Sequence, residues 1–372
     1  MKVIIGGGIS GLVFAFYNRD SIVIDEGKNK DDSPFVFIQK NIYTEKLLDD
    51  LNIKNINIVN VLITPQLAEK VIENKVQKQR EYFGTDKIAN IGEGCILKVF
   101  AIKESELCNY LKNSILDRII SPAKVSMITD NLVYTEKQSF PYTEIISTIH
   151  YKVFEQIYPS WKSGNNIFCQ KMIIRKEKTE SPDNSIEYYT DGDIIKCVKN
   201  SIVGYIGYEM KENCSGTIIE DARFFGKIAP APKNVLFLGR FATANSHWRI
   251  EDSIFVAQQG YLLAKMLEEQ KRFDIAVEKV SNIMGTERIQ KLILHLHSEL
   301  SELLREINWK MHKKENKIIK ATSILEESID IIKFVFAILH AFDYTPREIY
   351  EMFTNKSEKV WKELLENFYG GV

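Results

Sequence analysis

The chain opens on a strand, a glycine-rich turn and a helix at a spacing that few folds accommodate. An apolar run, Val3 to Ile5, breaks into Gly6, Gly8 and Gly11 in the order GxGxxG. A helical run follows to Phe16, and a second apolar run ends in Asp25. Each position has a mechanical task in a βαβ unit that binds a dinucleotide. Gly6 permits the tight turn out of the strand, Gly8 lets a pyrophosphate approach bare backbone, and Gly11 lets helix and strand lie close. The unpaired N–H groups at the helix start then hold the phosphates. Asp25 lies about 20 residues after the first glycine, where the motif places the acid that accepts from the ribose hydroxyls. Glu26 is the alternative.

A chain of 372 residues exceeds one ordinary core, so two domains are expected. With 49 basic against 50 acidic residues there is no overall field to draw nucleic acid or an anionic membrane. The five cysteines are scattered and contain no C-x-x-C, which argues against a disulfide framework or thiolate zinc site and fits a reducing cytoplasm. No signal peptide precedes the first strand, and the most apolar helical run, Ile329 to Phe342, carries Asp330, Lys333 and His340. A soluble, cytoplasmic protein is expected.

Residues 27–34 read as a polar loop. From about 35 to 123, short β-rich runs (Ile56 to Ile63, Cys95 to Ile102) mix with a helix at Glu104 to Leu116, which suggests an inserted α+β substrate region. Lys137 to Ile149 reads as a strand returning to the nucleotide sheet. A second insertion, about 151–215, has the alternation of an antiparallel sheet. A buried strand, Asn234 to Leu238, then ends at Gly239-Arg240, and a helix starts near Asp252, a good N-cap, with Ala257 and Gly260 on one flank.

This closing stretch, with the glycine motif at the other end, resembles the FAD-binding domain of the amine-oxidase superfamily, and its Gly-Arg form looks most like UDP-galactopyranose mutase. The resemblance implies a Rossmann-type α/β domain over 1–272 that binds FAD. Gly239 and Arg240 would lie at the ribityl-pyrophosphate portion, and Asp252 and Ser253 at the helix start facing the flavin N1–O2 edge. The polar-aromatic cluster Asn245-Ser-His-Trp-Arg249 offers His247 as an acid/base group and Arg249 as an anion clamp, or else is a surface loop.

Beyond residue 283 the chain changes character. Arg288–Lys314, Ala321–Phe342 and Thr345–Asn367 read as amphipathic helices with no β-run between them, an all-α domain over 283–372. Glu299 and Glu302 lie three apart on the first, and Glu327 and Asp330 three apart on the second. Packed side by side, the helices would gather four carboxylates, an arrangement stable only around a cation, for which Mg2+ is the oxygen-ligand choice. Acidic pairs at this spacing also occur on plain solvated faces.

The words around them, Glu299-Leu-Ser-Glu through Lys310, Leu325 through Phe334, and Phe353-Thr-Asn-Lys356, resemble the all-α nucleoside-triphosphate pyrophosphohydrolases, foremost the dimeric dUTPase branch, then the MazG-like branch. The resemblance implies Glu299, Glu302, Glu327 and Asp330 as metal ligands, with Glu302 also catalytic, Lys310 and Lys356 for phosphates and Trp309 for the base. The expected protein is a homodimer. Its FAD domain acts on a nucleotide- or nucleobase-linked substrate, as in a viral pathway that modifies pyrimidines, and its helical domain hydrolyses a dUTP-like triphosphate. The alternative is a single-activity FAD oxidoreductase or mutase whose helical domain only dimerises or binds nucleotide.

Overall fold

The computed structural model describes residues 1–27, 37–63, 96–164, 167–178, 183–188, 194–210, 217–226, 229–243, 249–281, 285–307, 321–342 and 344–369. Strand β1 (Lys2–Ile5) runs into helix α1 (Ile9–Tyr17) and returns as β2 (Ser21–Ile24). After β3 (Ile38–Gln39), α2 (Ile42–Asp50), β4 (Ile58–Ile63), β5 (Ile96–Phe100) and α3 (Glu104–Ser114), β6 (Ile119–Ile120) joins β2 in parallel. A small antiparallel sheet of β7 (Val125–Ile128), β8 (Leu132–Thr135) and β9 (Ser139–Pro141) leads to β10 (Glu144–Ser147) and α4 (Tyr151–Ile157). Strands β11 (Ile167–Lys178), β12 (Ser185–Tyr188), β13 (Ile194–Asn200), β14 (Tyr205–Met210) and β15 (Thr217–Gly226) follow, and β16 (Val235–Phe237) closes the parallel sheet in the order β16-β10-β1-β2-β6.

That sheet is buried on both faces, as its continuous apolar strands require. On one face α1 packs Leu12, Val13 and Phe14 against Ile4, Val23 and Leu236. On the other, α4 packs Tyr151, Phe154 and Ile157 against Val3, Ile5, Ile145 and Phe237. The helices that follow β1 and β10 thus leave to opposite faces. This makes a topological switch point, and a crevice opens at the carboxyl ends of the two strands.

The two inserted regions are one sheet. β12 pairs in parallel with β4, Ser185 opposite Leu62 and Ile186 opposite Ile63, giving eight strands in the order β15-β11-β14-β13-β12-β4-β5-β3. This sheet extends to Gly226, beyond the expected 215, and its first part ends at Phe100 rather than 123. Helix α3 lies on the nucleotide sheet instead, because Leu107 and Leu111, one turn apart and buried, fit the core under α1.

The last part is helical: α5 (Arg240–Thr243), α6 (Ile250–Phe255), a π turn (Val256–Gly260), α7 (Tyr261–Ser281), α8 (Gly285–Glu306), α9 (Ala321–Ala341) and α10 (Pro346–Tyr369). α6, the π turn and α7 run end to end as one helix. α8 packs on α9, α9 on α7, and α10 on α6, the π turn and α7. No described helix is long and apolar enough to cross a membrane. A Cβ at Gly260 would lie 2.2 Å from the ring of Phe255, a fully buried side chain. Gly260→Ala is therefore expected to lower stability by about 1–3 kcal/mol, read as a shift in denaturant midpoint at unchanged slope.

Candidate functional site

The glycine turn is built by exclusion. Gly6 has φ +107, and a Cβ there would lie 2.5 Å from Thr148 Oγ1; a Cβ at Gly11 would lie 2.3 Å from the Gly6 carbonyl oxygen. Gly8 is the N-cap of α1, and a Cβ there would meet nothing within 4 Å. The helix start is thus open above Gly8 and closed below it, a cradle that fits a pyrophosphate. Gly7, an unassigned position of the motif, is equally constrained: its N–H donates to Asp25 Oδ1 at 3.2 Å, and a Cβ would sit 2.3 Å from Asp25 Cγ. Lys112 on α3 reaches Asp25 Oδ2 at 3.4 Å, a contact no local pattern announces.

Gly239, at φ +89, turns the chain at the end of β16, and its missing Cβ leaves room for Ser10 Oγ at 3.0 Å. Ser253 Oγ in turn donates to Ser10 Oγ at 2.9 Å. Gly239, the start of α1 and the start of α6 therefore converge at the crevice. The side chain of Arg240 and residue His247 lie outside the described residues. Arg249 is described: it is exposed, and its guanidinium donates to Gln39 Oε1 at 3.4 Å.

The expected position of Asp252 is corrected. The N-cap is Arg249, whose backbone is extended, and the helix begins at Ile250. Asp252 is the third helical residue, and its Oδ2 accepts the Arg249 N–H at 2.7 Å, as an acid at that position does. Its Oδ1 accepts from Thr345 Oγ1 and Arg347 Nε, both at 2.9 Å, so the carboxylate is engaged by the helical part of the chain. Beside it, burial holds the Glu251 carboxyl above the usual range even though it accepts the Gln39 N–H.

The second cluster lies on α8 and α9. Glu299, Glu302 and Glu327 each offer a carboxylate oxygen, and these atoms all lie within 4.8 Å of one another. Partial burial, then the neighbouring carboxylates, push Glu299 and Glu327 above the usual range. Asp330 adds to that repulsion, while its own Oδ1 lies 3.4 Å from Lys333. Trp309 and Lys310 lie outside the described residues, and Lys356 is exposed on α10. Such a gathering of oxygens suits a divalent cation.

The two clusters call for different tests, and the glycine cradle gives the cleaner one. Gly11→Ala is expected to cost about 3 kcal/mol, because a backbone oxygen blocks the Cβ. Gly8→Ala is expected to cost at most about 1 kcal/mol, an N-cap effect, yet to lose added FAD. Denaturant midpoints with and without FAD, and quenching of flavin fluorescence, separate the two.

Residues 262–369 match the family model described as dUTPase. No curated protein matches the chain. Among solved structures, p-nitrophenol 4-monooxygenase from Pseudomonas putida DLL-E4 is similar over 96% of this chain and 97% of that one, at 12% identity and TM-score 0.46. A tryptophan 6-halogenase from Streptomyces toxytricini is similar over 98% and 97%, at 11% and 0.43. A fatty acid isomerase from P. acnes is similar over 69% and 96%, at 8% and 0.45. The segment matched by the dUTPase model carries Glu299, Glu302, Glu327 and Asp330, and it follows an α/β region built on a five-stranded parallel sheet.

Proposed function

We propose that the helical module hydrolyses a dUTP-like nucleoside triphosphate to the monophosphate and pyrophosphate with Mg2+, and that the α/β domain holds FAD and acts on a nucleotide- or nucleobase-linked substrate. The observation that carries the first half is the convergence of three carboxylates within 4.8 Å inside the segment that matches the dUTPase model. When bound, the cation supplies the positive charge that gathers the triphosphate oxygens. Glu299, Glu302, Glu327 and Asp330 would hold it, and Glu302 would also accept a proton from the attacking water. That water oxygen bonds to the α-phosphorus, the bond from it to the bridging oxygen breaks, and pyrophosphate leaves. Lys310 and Lys356 are assigned to the phosphates and Trp309 to the base. FAD, when bound, supplies two-electron redox chemistry. Gly6, Gly8 and Gly11 seat its pyrophosphate, and Asp25 orients its ribose. Gly239 and Arg240 would meet its ribityl-pyrophosphate portion and Ser253 its N1–O2 edge, with His247 and Arg249 toward the substrate.

A second reading, that the helical module serves to dimerise, is favoured by its exposed apolar side chains. Leu294 is 67% exposed, Leu325 62%, Phe353 70% and Trp361 63%, more than a monomer in water keeps bare on neighbouring helices. A homodimer through these helices is compatible with catalysis. What separates the readings is turnover.

Pyrophosphate release from dUTP, dependent on Mg2+ and lost in Glu327→Ala, is the expected result. Mg2+-independent or absent release from every triphosphate offered would leave only the dimer. Stability gives a further check. Because Glu299 and Glu327 are raised in the folded chain, their contribution favours folding most below the ordinary carboxylate pKa and is lost as pH rises through the raised values. Without metal, thermal stability should therefore fall across that window. At 100 times its Kd, Mg2+ should restore about 2.7 kcal/mol at pH 7, an increment absent in Glu327→Ala.

A further inference from the structure

We propose that Arg347, on the dUTPase-like module, is a positioning residue for the flavin site: by neutralising Asp252 it keeps the positive end of the helix beginning at Ile250 turned, uncancelled, toward the cofactor. The inference rests on the reading of the α/β domain as an FAD domain.

Asp252 is in the first turn of that helix, and its side chain is 1% exposed. A helix start carries roughly half a positive charge, effective within about one turn. A buried, unpaired carboxylate in the same turn would outweigh it, since little water is present to screen either. Among the described residues three donors meet Asp252: the Arg249 N–H and the Thr345 hydroxyl are neutral, and Arg347 brings a full charge. The guanidinium is itself held from the other side by both oxygens of Glu351, at 2.8 and 3.0 Å. Burial would loosen the Arg347 proton, but the two carboxylates more than reverse this, so the cation is fixed.

The arrangement is local to the crevice. Ser253, the next residue, bonds Ser10 beside the glycine turn, so the helix turn that carries Asp252 is the one that meets the cradle. On the other side, Thr345 is fixed by a reciprocal pair with Glu348: its N–H donates to Glu348 Oε2 at 2.8 Å, and its Oγ1 accepts the Glu348 N–H at 3.3 Å. Tyr350, a turn further along α10, packs on Phe255 with ring centroids 5.3 Å apart. Two helix starts, at Ile250 and Pro346, therefore face one carboxylate, and their positive ends would repel without it.

The test is the reduction potential of the FAD-loaded full chain, by dye-linked reductive titration, for wild type, Arg347→Met, Arg347→Lys, Asp252→Asn and the Asp252→Asn/Arg347→Met double variant. Arg347→Met should lower the preference for reduced over oxidised flavin on the order of tenfold, moving the potential negative. Asp252→Asn should move it positive, the double variant should return close to wild type, and Arg347→Lys should retain most of the effect of arginine. A clamp that merely holds the helices would change thermal stability without these opposed signs. Unchanged potentials, or single variants that shift in the same direction, would overturn the proposal. Should Arg347→Met fail to fold, Asp252→Asn alone decides it: a positive shift supports the proposal and no shift overturns it. If wild-type protein fails to quench added FAD, the FAD reading itself falls and takes this inference with it. FAD binding with unchanged potentials sinks the inference alone.

Discussion

One continuous helix, from Ile250 to Ser281, belongs to both halves of the molecule, and the arrangement of the halves follows from it. Its first turn meets the glycine cradle through Ser253 and Ser10. Its middle is shaped by the π turn, where Gly260 yields its volume to Phe255. Toward its far end, buried Asp274 accepts from Gln270 at 2.7 Å and pairs with His340 Nδ1 at 2.9 Å, while Arg288 stands 3.6 Å away. Arg288 and His340 come from α8 and α9, so the helix is gripped by the α/β domain at one end and the helical module at the other. The family match begins at residue 262, inside this helix, not in a linker beyond it.

That geometry limits independent motion. An interdomain contact made of a flexible linker and a polar surface would leave two bodies free to reorient. Here relative motion must bend a helix, break the Asp252 contacts with Thr345 and Arg347, or uncover Asp274. Each of the last two strands a buried carboxylate without its donors, which is among the costlier events available to a folded chain. The module that carries the Glu299 cluster is thereby tied to the domain that carries the cradle through a shared helix and the Asp252 contacts.

Much of this was legible locally. Gly6 turns the chain and Gly11 lets the helix lie close because at those two positions a Cβ would strike Thr148 and the Gly6 carbonyl, while Gly8 is left open. The three helices of the last part begin and end within a few residues of the expected limits where described, since their apolar period is strong. What the sequence hid is long-range. Pairing of β12 with β4 joins strands more than a hundred residues apart, and nothing in either strand names its partner. Lys112 on Asp25 is hidden for the same reason. Asp252 fits either an N-cap or the third helical position on local grounds, and Thr345 and Arg347, more than ninety residues downstream, are the partners that claim it. Gly7 was readable in principle as the middle of three consecutive glycines; its constraint is visible only once Asp25 folds over it.

The buried and clustered acids of this chain divide by where their compensating charge comes from. Asp252 has Arg347, and Asp274 has Arg288 with His340 beside it; each is neutralised from within, and each ties helices together. Asp25 has Lys112 on one oxygen, while Gly7 N–H takes the other. Glu299, Glu302 and Glu327 are arranged otherwise. They face one another, the nearby cation Lys333 is bonded to Asp330, and the repulsion is left standing in Glu299 and Glu327. A fold that neutralises Asp25, Asp252 and Asp274 with its own basic residues, yet holds three carboxylates together on neighbouring helices, keeps there a deficit of positive charge among the described residues. A divalent cation there would turn an unfavourable contact into a favourable one and so would couple metal binding to the stability of the helical pair.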